Sequence, residues 1–119
     1  MAGRNVPIVL IPRFTTYAGA TSFITAAIPV SAYSSLTFDF WHGPVIGTFG
    51  SMVMALQEST DGVRWDDCSG SVPGIAPAEG EIPVSVTITK AWLRLVLALA
   101  GTDMAVTCWA EGFLELREK

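Results

Sequence analysis

Basic residues are scarce in this chain of 119 residues. It has seven Lys and Arg against eleven Asp and Glu, which gives a formal net charge of −4. A surface that binds nucleic acid normally carries a basic stripe that neutralises phosphates, and the seven cations here are scattered along the sequence. The charge pattern therefore argues against DNA or RNA as a partner.

Residues that bind metals or form disulfides are equally few. The chain has one His and two Cys, and it has no C-x-x-C pair. A zinc site needs about four ligands of suitable spacing, so we expect no metal and no other cofactor. Cys68 and Cys108 have two alternatives, a single disulfide or two buried thiols. We predict two unpaired thiols because nothing in the sequence indicates secretion.

Long apolar runs are also absent. The longest is residues 95–100, and Arg94 prevents its extension upstream. A membrane span needs about 20 apolar residues, so we expect no contact with a membrane. Near the N-terminus, Pro7, Pro12 and Arg13 interrupt a short apolar run, so we expect no signal peptide. We predict that residues 1–13 form an extended N-terminal arm.

What the chain does have is an excess of apolar residues. Hydrophobic residues make up 50% and charged residues 15%, against a usual charged share of about 25%. A surplus of this kind is typical of a protein that buries part of its surface against another subunit. The composition therefore favours a homo-oligomer or a subunit of a larger assembly.

Strand signals recur along the chain, with turn signals between them. Alternating apolar and polar residues indicate half-buried strands, and clusters of Gly and Pro indicate turns. We predict about eight strands, no helix, a long loop at residues 70–80 and a single domain over residues 1–119. The fold class is all-β, a jelly-roll-like antiparallel β-sandwich. The strands are residues 6–11, 21–28, 36–41, 51–58, 63–67, 82–89, 92–99 and 104–116.

The clearest turn signal is Asp61-Gly62, which lies between two strand-like runs. An Asp-Gly pair in this context predicts a two-residue hairpin turn with φ > 0 at Gly62. Glu58 then pairs with Trp65, and Trp65 lies on the inner face with Met52, Met54 and Leu56. Arg64 lies on the outer face with Gln57 and Asp66.

Two strands near the C-terminus carry large apolar residues on both faces. If Val106, Cys108, Ala110 and Leu114 point inward, then Thr107, Trp109, Glu111 and Phe113 point outward. Trp92 and Val96 likewise lie opposite the face of residues 93, 95, 97 and 99. Because the outer face of a sandwich is normally polar, we predict a subunit interface centred on Trp92, Val96, Trp109 and Phe113. The alternatives are an opposite orientation of the strands or a covering loop at residues 70–80.

No arrangement of residues indicates catalysis. His42 is the only candidate base, and no Ser lies in a G-x-S-x-G elbow. Asp61, Asp66 and Asp67 fall in or near one turn, where Asp is a favoured residue. A calcium site in that cluster is an alternative that lacks the D-x-D-x-D-G spacing. We therefore expect a protein that is not an enzyme.

Three segments resemble a known family of jelly-roll domains. Residues 56–67, LQESTDGVRWDD, and residues 88–113 resemble two parts of the discoidin-like (F5/8 type C) pattern. These are a strand ending in S-x-DG-x-x-W and a later strand with an aromatic-(I/L)-R-(L/V) motif. Residues 23–40 resemble the early strands. Discoidin domains are longer, secreted and closed by a terminal disulfide, so their ligand loops are not carried over to this chain.

Short, cysteine-poor versions of this pattern resemble small virion proteins of tailed bacteriophages, of the head-decoration, minor-capsid and tail-associated types. This resemblance implies a structural protein that is made in the host cytoplasm and becomes part of the virion. Its partners would be itself, a major capsid protein or a tail protein. The alternative is a carbohydrate-binding module that stacks glycans on exposed Trp side chains.

Overall fold

The computed structural model describes residues 5–68 and 75–117, and this part of the chain is all-β. Apolar and polar side chains alternate along the longer strands, so that each strand buries one face. The described residues contain no helix, and therefore none long and apolar enough to cross a membrane. The strands are β1 (Asn5–Ala18), β2 (Ser22–Ile24), β3 (Ile28–Pro29), β4 (Tyr33–His42), β5 (Ile46–Ser59), β6 (Asp66–Asp67), β7 (Gly80–Thr87) and β8 (Trp92–Leu116).

Strand β8 is the centre of the fold and doubles back on itself. Its 25 residues would extend about 80 Å if straight, whereas the longest dimension of the molecule is 49 Å. Both ends of β8 also meet one short segment, since Val30 N–H donates to Ala91 O at 2.7 Å and Arg117 N–H donates to Ala32 O at 2.9 Å. The bend lies near Asp103, which has a left-handed φ of 52°.

The bend divides the strands into two sheets that face each other. Sheet A contains residues 92–99 of β8, most of β5, and the short strands β2, β3 and β6. Sheet B contains residues 104–116 of β8 together with β1, β4 and β7. All pairings are antiparallel, so the described residues form an antiparallel β-sandwich of eight strands, the fold class that the sequence predicts.

The core lies between the two sheets and follows the predicted alternation. In sheet A the inward residues of β8 are Leu93, Leu95, Leu97 and Leu99, and in sheet B they are Met104, Val106, Cys108, Ala110 and Leu114. Met52, Met54 and Leu56 from β5 and Leu36, Phe38 and Phe40 from β4 complete it. The predicted inward and outward faces of residues 92–99 and 104–114 are therefore correct.

Prolines lie on both edges of sheet B and on one edge of sheet A. Among the described residues, the four prolines that lie within strands are all on strands with a single partner strand, namely β1, β3 and β7. Proline has no N–H to donate, so it interrupts the hydrogen-bonding row that another chain would need in order to add a strand. These edges are poor templates for strand addition. The prolines are Pro7, Pro12, Pro29 and Pro83.

The N-terminal strand is longer than the sequence predicts. Residues 5–13 do not project as an arm, because they lie in β1, which pairs with β8 and continues past Pro12 to Ala18. The pairing shifts register between Val9 and Thr15, so the chain bulges around Pro12 instead of ending there. Leu10 and Ile11 are buried in the core and anchor this strand.

The predicted two-residue hairpin turn at Asp61-Gly62 is wrong, because the strands pair in a different register. Glu58 pairs with Asp66 rather than with Trp65, so the connection is a loop over residues 59–65. Gly62 does have a positive φ, 79°. The one-residue shift moves Trp65 to the outer face, where its ring lies 4.2 Å from the Arg94 guanidinium carbon. The predicted loop at residues 70–80 lies partly outside the described residues.

Candidate interaction surfaces

The four residues predicted to form one interface patch lie on two different surfaces. Trp92 and Val96 are on the outer side of sheet A, whereas Trp109 and Phe113 are on the outer side of sheet B. The doubling back of β8 makes these two sides face opposite directions. The structure therefore does not bring the four side chains together, because the sequence pattern does not reveal the bend between residues 99 and 104.

Part of the outer side of sheet A is aliphatic. Val96 lies directly between Ala55 on β5 and Ile24 on β2, and residues directly opposite in a sheet share a face. Ala98 lies opposite Val53 in the same way. We call Ile24, Val53, Ala55, Val96 and Ala98 the aliphatic face. Ile24 is 53% exposed, and none of the five carries a charge.

Trp109, on the outer side of sheet B, is half-buried by its neighbours. The Arg13 guanidinium carbon lies 4.5 Å from the centroid of the Trp109 ring, and Arg13 Nε donates to both Glu111 carboxylate oxygens, at 3.0 and 3.1 Å. The hydrogen bonding to Glu111 and the charge of that carboxylate raise the pKa of Arg13. Trp41 lies directly across from Trp109, with the rings nearly parallel at 14° and centroids 6.3 Å apart.

Phe14 is a surface feature that sequence reasoning missed. It lies in the β1 bulge with φ 60°, a conformation that is rare for a bulky residue and marks local strain. Its ring is perpendicular to that of Trp41 at 5.9 Å, and it remains 66% exposed. The bulge thus places a large apolar side chain on sheet B, and only the interruption of the apolar run at Pro12-Arg13 hints at it.

Carboxylates surround these aromatic rings. Trp41 Nε1 donates to Glu79 at 3.4 Å, and Glu81 lies directly across from Trp41 on β7. Asp39 lies directly across from Glu111, two residues along from the tryptophan pair. We call this surface of sheet B the aromatic–acidic face. Its residues are Phe14, Trp41, Trp109 and Phe113 with Asp39, Glu79, Glu81, Glu111 and Glu115.

The loop over residues 59–65 is built by two side chains. The buried Ser59 hydroxyl accepts hydrogen bonds from the backbone N–H groups of Asp61 at 3.3 Å and Gly62 at 2.8 Å. The Asp61 carboxylate accepts from the N–H groups of Val63 at 2.9 Å and Arg64 at 3.0 Å. These bonds from Arg64 and Val63 lower the pKa of Asp61. Their stabilisation is therefore present at neutral pH and is lost as the pH falls through that lowered pKa.

An open depression of about 380 Å³ lies beside this loop and is polar. Its lining residues are Thr60, Asp61, Arg64, Asp66 and Lys90. Both of its carboxylates already have partners, because Asp61 binds backbone N–H groups and Asp66 forms an ion pair with Lys90 at 2.9 Å. The depression thus offers no pair of free carboxylates for acid–base chemistry. Asp67, the third residue of the predicted cluster, accepts from the Gln57 amide instead.

His42 is a buried structural residue. Its side chain is 2% exposed, and Nδ1 lies 2.9 Å from the carbonyl oxygen of Gly43. Its ring centroid is 5.9 Å from that of Phe40. Across residues 5–68 and 75–117, no three His, Cys, Asp or Glu side chains converge in a way that would hold a metal ion.

The two cysteines are unbonded, Cys68 half-buried and Cys108 buried. Burial raises the pKa of Cys68 to about 11, with a further contribution from the Glu58 charge, and burial alone raises that of Cys108 to about 12. Only the thiolate reacts with disulfide reagents. We therefore expect almost no thiol reaction of the native protein at pH 7.5 and two reactive thiols per chain in denaturant. If no thiol reacts even in denaturant, and the mass is lower by two hydrogens than that of the reduced chain, the two cysteines form a disulfide.

The described residues form an all-β sandwich of the jelly-roll-like class, with an aliphatic face on one outer side and an aromatic–acidic face on the other. No protein-family model and no curated protein sequence matches the chain. Among solved structures, it is similar to a protein chain of infectious bursal disease virus, Gx strain, with a TM-score of 0.65 and 12% identity. The match covers 96% of this chain and 32% of the viral chain, so this chain spans about a third of that protein's length.

A second similar structure is the CBM22-1 xylan-binding domain from Paenibacillus barcinonensis Xyn10C. The TM-score is 0.55 at 8% identity, and the match covers 99% of this chain and 98% of that domain. At these identities both likenesses show the fold alone.

Proposed function

We propose that this chain is a non-enzymatic structural protein of a virus particle, a capsid decoration, minor capsid or tail-associated subunit of a tailed phage. The carrying observation is that sheet A presents an aliphatic outer face and sheet B an aromatic–acidic one, while prolines lie on both edges of sheet B and on one edge of sheet A. Such a molecule associates through its faces and resists strand addition. The likeness in fold to a viral protein supports a role in a virus particle. The sequence resemblance to small phage virion proteins supports a tailed phage as the source of that particle.

The aliphatic face is the surface best suited to self-association. Two copies can meet there without bringing like charges together, because Arg94 and Asp67 lie at its border rather than at its centre. Burying apolar area contributes about 25 cal/mol per Å², and a stable interface needs about 800 Å² per partner. Val96 is central to this face, since it lies between Ala55 and Ile24.

We expect Val96→Glu to convert an assembled wild-type protein into monomers, because it places a charge at the centre of the apolar contact. Ile24→Glu, at a more exposed position of the same face, should act in the same direction. The matched control is Val63→Glu, in which the valine is 79% exposed in the loop over residues 59–65. Sedimentation velocity gives the oligomeric state, and circular dichroism verifies the fold.

The structural role fails if wild-type protein sediments as a single monomeric species at high concentration and binds no phage particle. Dissociation by Val63→Glu as readily as by Val96→Glu would instead overturn the choice of the aliphatic face. Virion localisation is tested directly by probing purified particles for the chain with an antibody.

Glycan binding is the second candidate function. The likeness in fold to a xylan-binding domain and the nearly parallel Trp41 and Trp109 rings favour it. Against it, Arg13 already covers Trp109 and Arg94 covers Trp65. A sugar ring would have to displace these side chains before it could stack. Calorimetric titration with xylo-oligosaccharides tests this function, and binding that Trp41→Ala abolishes would favour it over the structural role.

A further inference from the structure

We propose that the aromatic–acidic face of sheet B docks an arginine- or lysine-bearing segment of a partner protein. The inference deepens the proposed function and rests on it, because it assumes that the faces of the sandwich make the contacts of assembly. It assigns the two faces different partners. The aliphatic face meets a second copy of this chain, and the aromatic–acidic face meets a cationic protein.

Charge decides the kind of partner. Five of the eleven acidic residues of the chain lie on this face, and among the described residues Arg13 is seated between them. Two copies of the chain that met through this face would bring ten carboxylates together, which disfavours self-association there. A surface that carries Lys or Arg has the complementary charge.

The sheet itself carries an unfavourable contact at this place. Asp39 and Glu111 are directly opposite each other on β4 and β8, and like charges in that position destabilise a sheet. Arg13 binds Glu111 from the β1 side. Asp39 is half-buried, and no side chain of the described residues forms an ion pair or hydrogen bond with its carboxylate. A cation from a partner would relieve this repulsion.

Arg13 shows how this face holds a guanidinium group. It stacks on Trp109 and donates to both Glu111 oxygens, which combines a cation–π contact with charge-assisted hydrogen bonds. The neighbouring Trp41 ring has the same kind of surroundings, an aromatic ring beside carboxylates. Trp41 is flanked by Glu79 and Glu81, and no cationic side chain of the described residues lies over it. A partner's arginine fits beside Trp41 as Arg13 fits beside Trp109.

Exposed aromatic side chains supply the apolar part of the contact. Phe14 is 66% and Phe113 is 52% exposed, and the methylene stem of an arginine or lysine packs well against such rings while its charged end reaches a carboxylate. The strained φ of Phe14 holds its ring beside Trp41. The face is thus equipped for a long side chain that ends in a positive charge.

The test uses a capped hexa-arginine peptide as the probe and a hexaglutamine peptide as the neutral reference. The double variant Asp39→Asn with Glu81→Gln removes two carboxylates from the face without touching the Arg13–Glu111 ion pair. Its matched control, Asp67→Asn with Asp103→Asn, removes the same net charge elsewhere, and Asn tolerates the left-handed φ of residue 103. Calorimetry gives the affinities, and the indole N–H signals report the location, with Trp41 and Trp109 as reporters for sheet B and Trp65 and Trp92 for sheet A.

We expect the hexa-arginine peptide to bind, to shift the Trp41 indole signal, and to lose about tenfold in affinity in the face variant, which corresponds to about 1.4 kcal/mol. The control should lose less than about twofold, since only the net charge of the molecule has changed. Equal losses in both variants, signal shifts confined to sheet A, or no binding would overturn the inference.

The proposed function and this docking surface are tested by different outcomes. Wild-type protein that assembles through the aliphatic face but does not bind the hexa-arginine peptide retains the structural role and loses only this docking surface. The face variant must still self-associate as wild type does, which also shows that it is folded.

Discussion

Gly112→Ala is expected to lower the free energy of unfolding by about 3 kcal/mol, at the upper end of the cost of overpacking. Gly112 lies in β8 opposite Phe38, and a Cβ at this position would lie 2.5 Å from the Phe38 Cα and closer still to the Thr37 carbonyl oxygen. These are backbone atoms of the adjacent strand, so no side-chain rotation can make room. Thermal and chemical unfolding measure the effect.

The control for this prediction is Gly43→Ala. A Cβ on Gly43 meets its nearest atom, in the Trp41 side chain, at 3.4 Å, which is an ordinary contact. We expect a change of less than about 1 kcal/mol, because a small volume change without a backbone clash is tolerated. Equal stabilities of the two variants would contradict the close approach of β4 and β8 at Gly112.

Ser59→Ala is expected to lower the free energy of unfolding by about 2 kcal/mol. The Ser59 hydroxyl is fully buried, and it satisfies the N–H groups of Asp61 and Gly62 while donating to the Asp61 carboxylate at 3.1 Å. Ser59→Ala removes three hydrogen bonds, each of which contributes about 0.5–1.5 kcal/mol net. Amide hydrogen exchange at Asp61 and Gly62 should accelerate together with the loss of stability.

Thr60→Ala is the matched control, since Thr60 is exposed and its hydroxyl makes no hydrogen bond within the described part of the chain. It should change stability by less than about 0.5 kcal/mol, as surface substitutions usually do. If Ser59→Ala leaves both stability and exchange unchanged, the loop over residues 59–65 is not held by this hydroxyl.

The fold class and the orientation of the strands could be predicted because they depend on local alternation. Leu93, Leu95 and Leu97 point inward while Trp92 and Val96 point outward, as a period of two requires. The pattern cannot show that residues 92–99 and 104–116 are one strand shared by two sheets, because the bend is fixed by contacts with distant residues. For that reason the four predicted interface residues separate onto opposite faces.

The register of the loop after β5 could not be read from Asp61-Gly62 alone. The pair favours a two-residue turn, but the Ser59 and Asp61 side chains bind nearby backbone N–H groups and stabilise a longer loop. Such local bonds compete with the strand ladder. The S-x-D-G spacing is the signal that would have found them. The bulge at Phe14 is harder to predict from the sequence, because it depends on packing against Trp41 on another strand.

The position of β8 in the chain has a consequence for synthesis on the ribosome. Every strand that pairs with residues 92–116 precedes them in sequence, so both sheets lack their central member until translation reaches this segment. Neither sheet can close before β8 is available, and β1 must wait for residues 105–115 before it acquires a partner. Folding is therefore expected to begin only once β8 has emerged from the ribosome, with apolar strands exposed to chaperones and to neighbouring nascent chains until then.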